Sequence, residues 1–426
     1  MTSALPTVSF VLVTADGKDL LAGALDSIAA LEYPQDLIEI WVVDNGSSDG
    51  TVTWLKQAHA QVRIIENATN EGFARPNNIA AARATGEWLA LINNDMRLES
   101  DWLRQMLALR DAAPSATCVA SRILNWDGKR LDFDGSAIAF TGHGLQPNYG
   151  ARPEPAYPPR PIPFACGGAM LIRRDVFLEV GGFDERYFAY YEDVDLGWRL
   201  WLCGYEVMLA PEAVAYHHHN ATSSRAPAYQ KRVLMERNAL YSALKNYSDE
   251  NLARVLPPLL LLGMKRMALK STVDRAEFRF SLPSGGAAPS LPPPAPKKAS
   301  RGLPLAKAVG VLRRQGPAAV LRKSLLALAT LIVRRWGVLP YAEGGVFVDR
   351  DAYAHLVAYE DVLANLDAVM ADRSRIQAMR KRSDHEVLAL FGSPFQTLDG
   401  APEYLDTQMS LMRNWNLPAH FPEARP

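Results

Sequence analysis

Cysteine is scarce in this chain: Cys118, Cys166 and Cys203 are the three in 426 residues, and none stands in a CxxC spacing. So few cannot supply the disulfide framework of a small secreted domain, and a reducing compartment is favoured. An excess of either charge is lacking as well. Lys plus Arg and Asp plus Glu each total 46, so nothing global draws the chain to nucleic acid or to an acidic membrane. No stretch reaches the roughly 18 uninterrupted apolar residues of a spanning helix. The longest candidate, 324–333, is bracketed by Arg322, Lys323, Arg334 and Arg335. The opening MTSALPT runs into SFVLVT with no basic n-region and no apolar segment of signal-peptide length. The expected location is the cytoplasm. VLVTADGKDLL is no Gly-rich, basic phosphate loop, which argues against a nucleotidyltransferase.

What is present begins with 48% hydrophobic and 22% charged residues, enough for one large core and a second region. Short β-branched runs at 8–13 and 38–43 flank helical spacing at 20–31, a βαβ unit. The alternation continues with a helix at 51–60, a strand at 62–66, a helix at 77–84 and a strand at 88–92. Such an order predicts an α/β fold, a doubly wound, mostly parallel sheet covered on both faces. A helix at 102–112 and a strand at 117–123 follow, then a loop-rich tract over 125–163, with 142–163 expected to be a mobile surface loop. Further strands are expected at 169–172, 207–209 and 214–216, and helices at 175–180 and 193–203. Residues 231–270 are helical by periodicity, interrupted at Pro257 and Pro258. The Pro-, Ala- and Ser-rich stretch 282–304 is expected to be a disordered linker. Beyond it lie a basic, Leu-rich amphipathic helix or helix pair at 305–338 and a helical stretch at 352–390. The expected division is a catalytic domain over 1–246, a helical extension over 247–281, the linker, and a mainly helical C-terminal region over 305–426.

Three polar segments stand at the ends of apolar runs, where a parallel sheet opens toward ligands: VVDNGSSDG (42–50), LALINND (89–95), and YYEDVDLGWRL (190–200) followed by HHH (217–219). Asp44 could accept hydrogen bonds from a base or ribose, or simply form an Asx turn before the next helix. Asp95 is a hard oxygen ligand suited to a divalent metal, Mg2+ or Mn2+, that keeps positions open for diphosphate oxygens. His217 is the candidate second ligand, while His218 and His219 have solvated or packing roles. The three cysteines are most simply buried apolar residues.

Residues 8–225 resemble the inverting family 2 glycosyltransferases of the GT-A fold, in particular the bacterial rhamnosyltransferase-like branch of cell-wall and O-antigen assembly. The resemblance lies in VVDNGSSDGT, NEGFARPNN, GEWLALINND, GGAMLIRRDVF, VGGFDERYFAYYEDVDLGWRLWLCGY and APEAVAYHHHNATS, in the family's order. It implies that Thr14 and Asp44 border the nucleotide, that Asn78 helps build the donor pocket, and that Asn93 and Asp95 stand at the DxD metal motif. Asp193 matches the catalytic base, with Glu192 beside it on the acceptor side, and His217 completes the metal shell. Trp198 and Trp201 lie at helical i, i+3 spacing; Trp201 is expected in the core, and Trp198 is either core or an acceptor platform. Asp193 and Asp195 open a helix, where capping is the competing explanation. Ala15 and Asp16 depart from the aromatic residue and Asn usual after the first-strand Thr, and Asn93 replaces the first motif Asp.

The implied reaction is a single displacement on a nucleotide-diphosphate sugar, dTDP- or UDP-linked ahead of GDP-linked, by a hydroxyl of a glycan or lipid-linked acceptor. A processive synthase would add QxxRW and several spanning helices, which this chain lacks. The non-enzymatic alternative is a degenerate GT-A scaffold or binding protein. Arg313, Arg314, Arg322, Lys323, Arg334 and Arg335 read equally as a solvated face or as one side of a helix lying on an anionic membrane surface.

Overall fold

The computed structural model describes residues 4–113, 115–218, 227–271 and 349–422. The chain divides into two units, Met1–Lys270 with Arg350–Pro426, and Ser271–Asp349. Apart from Ser271 and Asp349, the described residues belong to the first. The expected linker at 282–304 and the basic helix at 305–338 lie outside the described residues.

Four parallel strands form half of the sheet: β1 (Val8–Thr14), β2 (Ile38–Asn45), β3 (Arg63–Asn67) and β4 (Trp88–Asn93), in spatial order β3-β2-β1-β4. The helices α1 (Lys18–Ala29), α2 (Thr51–Ala58) and α3 (Ala74–Arg83) connect them. β1 is apolar on both faces because both are covered; Val8, Phe10, Val11 and Leu12 are wholly buried. Register then fixes the functional edge. Thr14 lies opposite Asp44 and Val13 opposite Asn93, so three of the polar positions share the carboxyl end of the sheet.

Beyond β4 come β5 (Met96–Leu98), α4 (Trp102–Ala112), β6 (Ala116–Asn125) and β7 (Leu131–Phe133), then a two-stranded ribbon of β8 (Ala137–Ile138) and β9 (Gly144–Leu145). β10 (Arg160–Pro161), β11 (Ala169–Arg173), α5 (Arg174–Glu179), α6 (Glu192–Leu202) and β12 (Glu206–His217) follow. β11 enters antiparallel between β4 and β6, and β12 runs parallel to β6. The expected mostly parallel sheet is thus present, with an antiparallel insertion that periodicity does not reveal.

Several local expectations change. The two strands expected at 207–209 and 214–216 are one strand, β12, whose register shifts between Ala210 and Val214; Pro211 lacks a ladder N–H, so the irregularity falls there. Most of the expected surface loop, 146–161, is exposed. Its start is not: His143 is buried, and a Cβ on Gly142 would come 2.3 Å from the Ala239 carbonyl oxygen. In the loop-rich tract before it, Leu131, Phe133 and Ala137–Phe140 are buried as well.

The helical part contains α7 (Ala228–Asn246), α8 (Asp249–Lys270), α9 (Arg350–Ala364), α10 (Leu366–Met379), α11 (Asp384–Leu388) and α12 (Pro402–Asn414). The break falls between α7 and α8, whereas Pro257 and Pro258 lie inside α8. The terminal carbonyls of α7 would be orphans, and α10 with the residue after it supplies the donors. Arg373 reaches the Leu244 and Tyr247 oxygens at 2.7 and 2.6 Å, Gln377 the Lys245 oxygen at 2.9 Å, and Arg380 the Asn246 oxygen at 2.6 Å. Val362, Val369, Ile376, Phe391 and Tyr404 join the same apolar core as the sheet. Residues 350–422 therefore fold with the N-terminal unit. Among the described residues no helix is long and apolar enough to cross a membrane.

Candidate active site

Strand pairing unites Asp95 with His217. β5 starts one residue after Asp95 and pairs antiparallel with the end of β12, setting Met96 opposite His217. The His218 N–H donates to the Asp95 carbonyl at 2.9 Å, and the His217 Nε2 lies 3.4 Å from the Asp95 Oδ2. Behind the ring, Nδ1 is hydrogen-bonded to the Asp132 carboxylate from β7. Burial opposes a charge on the imidazole, but Asp132 and Asp95 outweigh it and raise the pKa to about 9. A carboxylate on Nδ1 orients a ring so that Nε2 can bind a metal once deprotonated. Among the described residues no three metal-binding side chains converge. Asp95 and His217 are therefore a two-donor pair, a set that fits a divalent ion completing its shell with oxygens of a bound diphosphate or water. Asp132 was not singled out from the sequence; its signal was an acidic residue between Leu131 and Phe133 in a segment read as loop.

Gly167 and Gly168 lead from this strand end to Asp193. A Cβ on Gly168 would stand 2.7 Å from Met96 Cε and 3.2 Å from Asn93 Nδ2, and one on Gly167 3.6 Å from Asp193 Cβ. The turn passes between the end of β4 and the start of α6, where there is little room for side chains. Gly167 N–H donates to Asp193 Oδ2 at 3.0 Å, and Val194 N–H to Oδ1 at 2.8 Å. Burial raises the Asp193 carboxyl above its ordinary value, and these backbone donors hold the rise back. Glu192 is pushed well above the usual range by burial and then by the Asp193 charge. Its buried Oε2 has no hydrogen-bond partner among the described residues. The negative charge of the pair thus belongs on Asp193, both of whose oxygens receive N–H donors, and the proton on Glu192. Burial raises the nearby Cys166 thiol, and the charges of Asp193, Asp132 and Glu192 add to the rise, so these carboxylates share one neighbourhood.

At the edge near β1 and β2, one oxygen of the buried Asp44 accepts the Ser47 N–H at 3.0 Å, which is the Asx turn. The other, Oδ1, is buried without a partner among the described residues. The Asx-turn reading is thus present, and Oδ1 keeps unused acceptor capacity. Thr14 Oγ1 accepts from Asn94 at 2.9 Å. Asp16, in the left-handed region at φ 49°, accepts the Ser48 N–H at 2.7 Å and donates its own N–H to Ser47 Oγ at 2.9 Å. The loops after β1 and β2 are thereby interlocked by the residue that departs from the family pattern.

Two sequence expectations are corrected. Asn78 does not offer its amide to a ligand: its Nδ2 donates to the Phe183 carbonyl at 2.8 Å and its Oδ1 accepts the Phe183 N–H at 2.9 Å. Both ends are used in clamping that loop. Trp198 is 1% exposed, packed edge-on against Tyr247 and Phe391 at 4.8 and 4.9 Å. It is core, because α11 and the residues after it, unpredictable as neighbours, cover that face of α6. Trp201 is also buried, its Nε1 donating to the Ile162 carbonyl at 2.9 Å. His218 packs against Trp126, and His219 lies outside the described residues.

The sheet thus carries acidic residues at its carboxyl edge and a buried carboxylate pair at the start of α6. Residues 9–181 match the model of Glycosyl transferase family 2 and residues 148–239 that of Glycosyl transferase family group 2, so this region is similar to family 2 glycosyltransferases. The chain is 30% identical over 261 residues to the uncharacterised protein y4gI of Sinorhizobium fredii, covering 55% of this chain and 27% of that one. It is 29% identical over 254 residues to the N-acetylglucosaminyl-diphospho-decaprenol L-rhamnosyltransferase of Mycobacterium tuberculosis, covering 54% of this chain and 80% of that one. It is 30% identical over 234 residues to the O-antigen biosynthesis protein RfbC of Myxococcus xanthus, covering 52% and 18%. The chain thus spans well under half the length of two of these three relatives.

Proposed function

We propose that this protein transfers a sugar, with inversion, from a dTDP- or UDP-linked donor to a hydroxyl of a glycan or lipid-linked acceptor in cell-surface polysaccharide assembly. The observation that carries this reading is a division of labour: Asp95 and His217 face each other 3.4 Å apart, while Asp193 is desolvated and lacks a cation partner among the described residues. Similarity to a rhamnosyltransferase with a diphospho-decaprenol acceptor in its name supports a lipid-linked acceptor.

In this mechanism Thr14 and Asp44 border the nucleotide, and Asn93 adjoins its diphosphate. Asp193 takes the proton of the acceptor hydroxyl. The oxygen bonds to the anomeric carbon from the face opposite the nucleotide, the bond to the diphosphate oxygen breaks, and configuration inverts. Glu192, protonated, borders the acceptor. Asp95 and His217 would hold a divalent ion, Mg2+ or Mn2+, which when bound supplies charge stabilisation to the leaving diphosphate. Catalysis falls to residues 1–246, with α8 (Asp249–Lys270) as a helical extension. Contact with an anionic membrane falls to 305–338, so a chain ending at Leu282 should lose binding to anionic vesicles.

Calorimetric titration with UDP and dTDP, with and without Mn2+, tests the central reading. Metal-dependent binding that disappears in Asp95→Ala and His217→Ala is expected. Nucleotide affinity indifferent to both metal and substitution would overturn it, and no nucleotide binding at all would favour a degenerate scaffold.

A further inference from the structure

The catalytic helix α6 is launched from a turn that an L-residue backbone resists. Phe188, Tyr190 and Tyr191 have φ values of 61°, 68° and 67°, left-handed conformations uncommon for bulky aromatic residues. None of the three is glycine, so the surroundings must hold the turn in place. Glu192 and Asp193 follow it directly, so its shape sets the direction in which their carboxylates leave the helix.

Its main restraint comes from α7. Asn238 is wholly buried, and its Nδ2 lies 3.0 Å from the Tyr187 carbonyl oxygen, 3.0 Å from that of Ala189 and 2.6 Å from that of Tyr190. Two N–H donors are thus shared among three carbonyls that face one point. Its Oδ1 accepts from Arg237 Nε at 3.1 Å. Arg237 in turn reaches the Arg186 and Tyr187 carbonyls at 2.8 and 3.1 Å and pairs with Asp361 of α9 at 3.1 Å. On the opposite side the Phe73 N–H donates to the Phe188 carbonyl at 2.5 Å. A Cβ on Gly72 would also fall 2.5 Å from that oxygen. The turn is held from two sides, and an amide is the group that fits the α7 side: a carboxylate would point acceptors at acceptors, and an alkyl group would take this donor from the Ala189 and Tyr190 carbonyls.

We propose that Asn238 is a positioning residue for the transfer reaction, fixing the Phe188–Tyr191 turn so that Asp193 is aimed at the acceptor hydroxyl. The inference rests on Asp193 being the base. Asn238 does not touch substrate; it acts through the backbone, and Arg237 with Asp361 extends the same restraint to the C-terminal helices.

The test uses the full chain and compares wild type, Asn238→Ala, Asn238→Ser and the double variant Asn238→Ala/Tyr190→Gly. Sugar-transfer kinetics, Mn2+-dependent nucleotide affinity and thermal melting are measured on each. Misplacement of a catalytic group by about 1 Å lowers rates on the order of 100-fold. The expected result for Asn238→Ala is a fall in kcat of about 10- to 100-fold at unchanged nucleotide affinity, with an altered acid limb of the kcat profile. Glycine at 190 accepts a positive φ without strain, so the double variant should recover part of the loss. If Asn238→Ala does not fold, Asn238→Ser, which keeps one donor, carries the same expectation. Wild-type kcat in a folded variant would overturn the proposal. So would losses that merely track the folded fraction, with no change in the pH profile and no recovery in the double variant. Absence of transfer by the wild-type chain across dTDP- and UDP-sugars would instead strike at the function proposed above.

Discussion

Two carboxylate clusters meet at the start of α6, Glu192 with Asp193 and Asp195 with Asp184 from the preceding loop, and have opposite electrostatic surroundings. Asp195 is wholly buried and meets Arg199 at 2.8 Å, Lys245 at 3.0 Å and Asn246 at 2.9 Å. Asp184 shares Lys245 at 2.6 Å and takes Arg186 at 2.7 Å. Despite burial, these cations hold both carboxyls below their ordinary values. Glu192 and Asp193 have no cation partner among the described residues, and burial raises both. The contrast separates architecture from chemistry: a carboxylate saturated by cations joins helices, whereas one held by backbone N–H groups alone is available to take a proton.

The sharpest break in this contrast is Asp193→Asn. Transfer should fall by about 10² to 10⁴, the usual contribution of a positioned base, while metal-dependent nucleotide binding persists; a released-nucleotide assay with parallel titration measures both. Asp195→Asn should act in the opposite way. It leaves Arg199 and Lys245 buried with too little negative charge, and losing one partner of a buried ion pair destabilises by about 3 to 5 kcal/mol. Urea unfolding reports this, and the folded fraction should keep its turnover.

A smaller effect is expected for Asp132→Asn behind His217. Carboxylates that hydrogen-bond a metal-binding imidazole change metal affinity by about 10- to 100-fold, so the Mn2+ requirement for UDP binding should rise by that factor without loss of fold.

The smallest effect is a pH dependence with opposite signs at the two clusters. The folded-state pKa of Glu192 lies above its unfolded value, so its stabilising contribution is present below about 4.5 and is lost as pH rises through the folded pKa. Glu192→Gln should therefore melt higher than wild type in neutral and alkaline buffer, and the gap should close toward pH 4. Asp195 and Asp184 have depressed folded-state values, so their contribution is present above about 3.8 and is lost as pH falls below it. Melting curves across pH for wild type and Glu192→Gln would show both trends; a gap that does not depend on pH would contradict the assignment of the proton to Glu192.

Much of this was legible in the residues. Alternating apolar periods are local properties of the chain, and they gave the parallel strands β1 to β4 and put Thr14, Asp44 and Asn93 at one sheet edge. Asp95, Asp193 and His217 were legible as polar residues ending or opening apolar elements. Asp132 was hidden because its strand is three residues long and lies amid Gly- and Pro-rich sequence. Trp198 and Asn78 could not be assigned, since helical spacing does not say which distant segment covers a face; Phe391 covers one and the Phe183 backbone binds the other.

By itself the sequence determined the class of sheet, the carboxyl edge where chemistry gathers and the residue types available there, because periodicity and turn chemistry act over short spans of chain. Only the tertiary structure decided which carboxylates are neutralised and which stay reactive. That choice depends on cations and backbone donors contributed by segments remote in sequence, and on the burial that makes their presence or absence count.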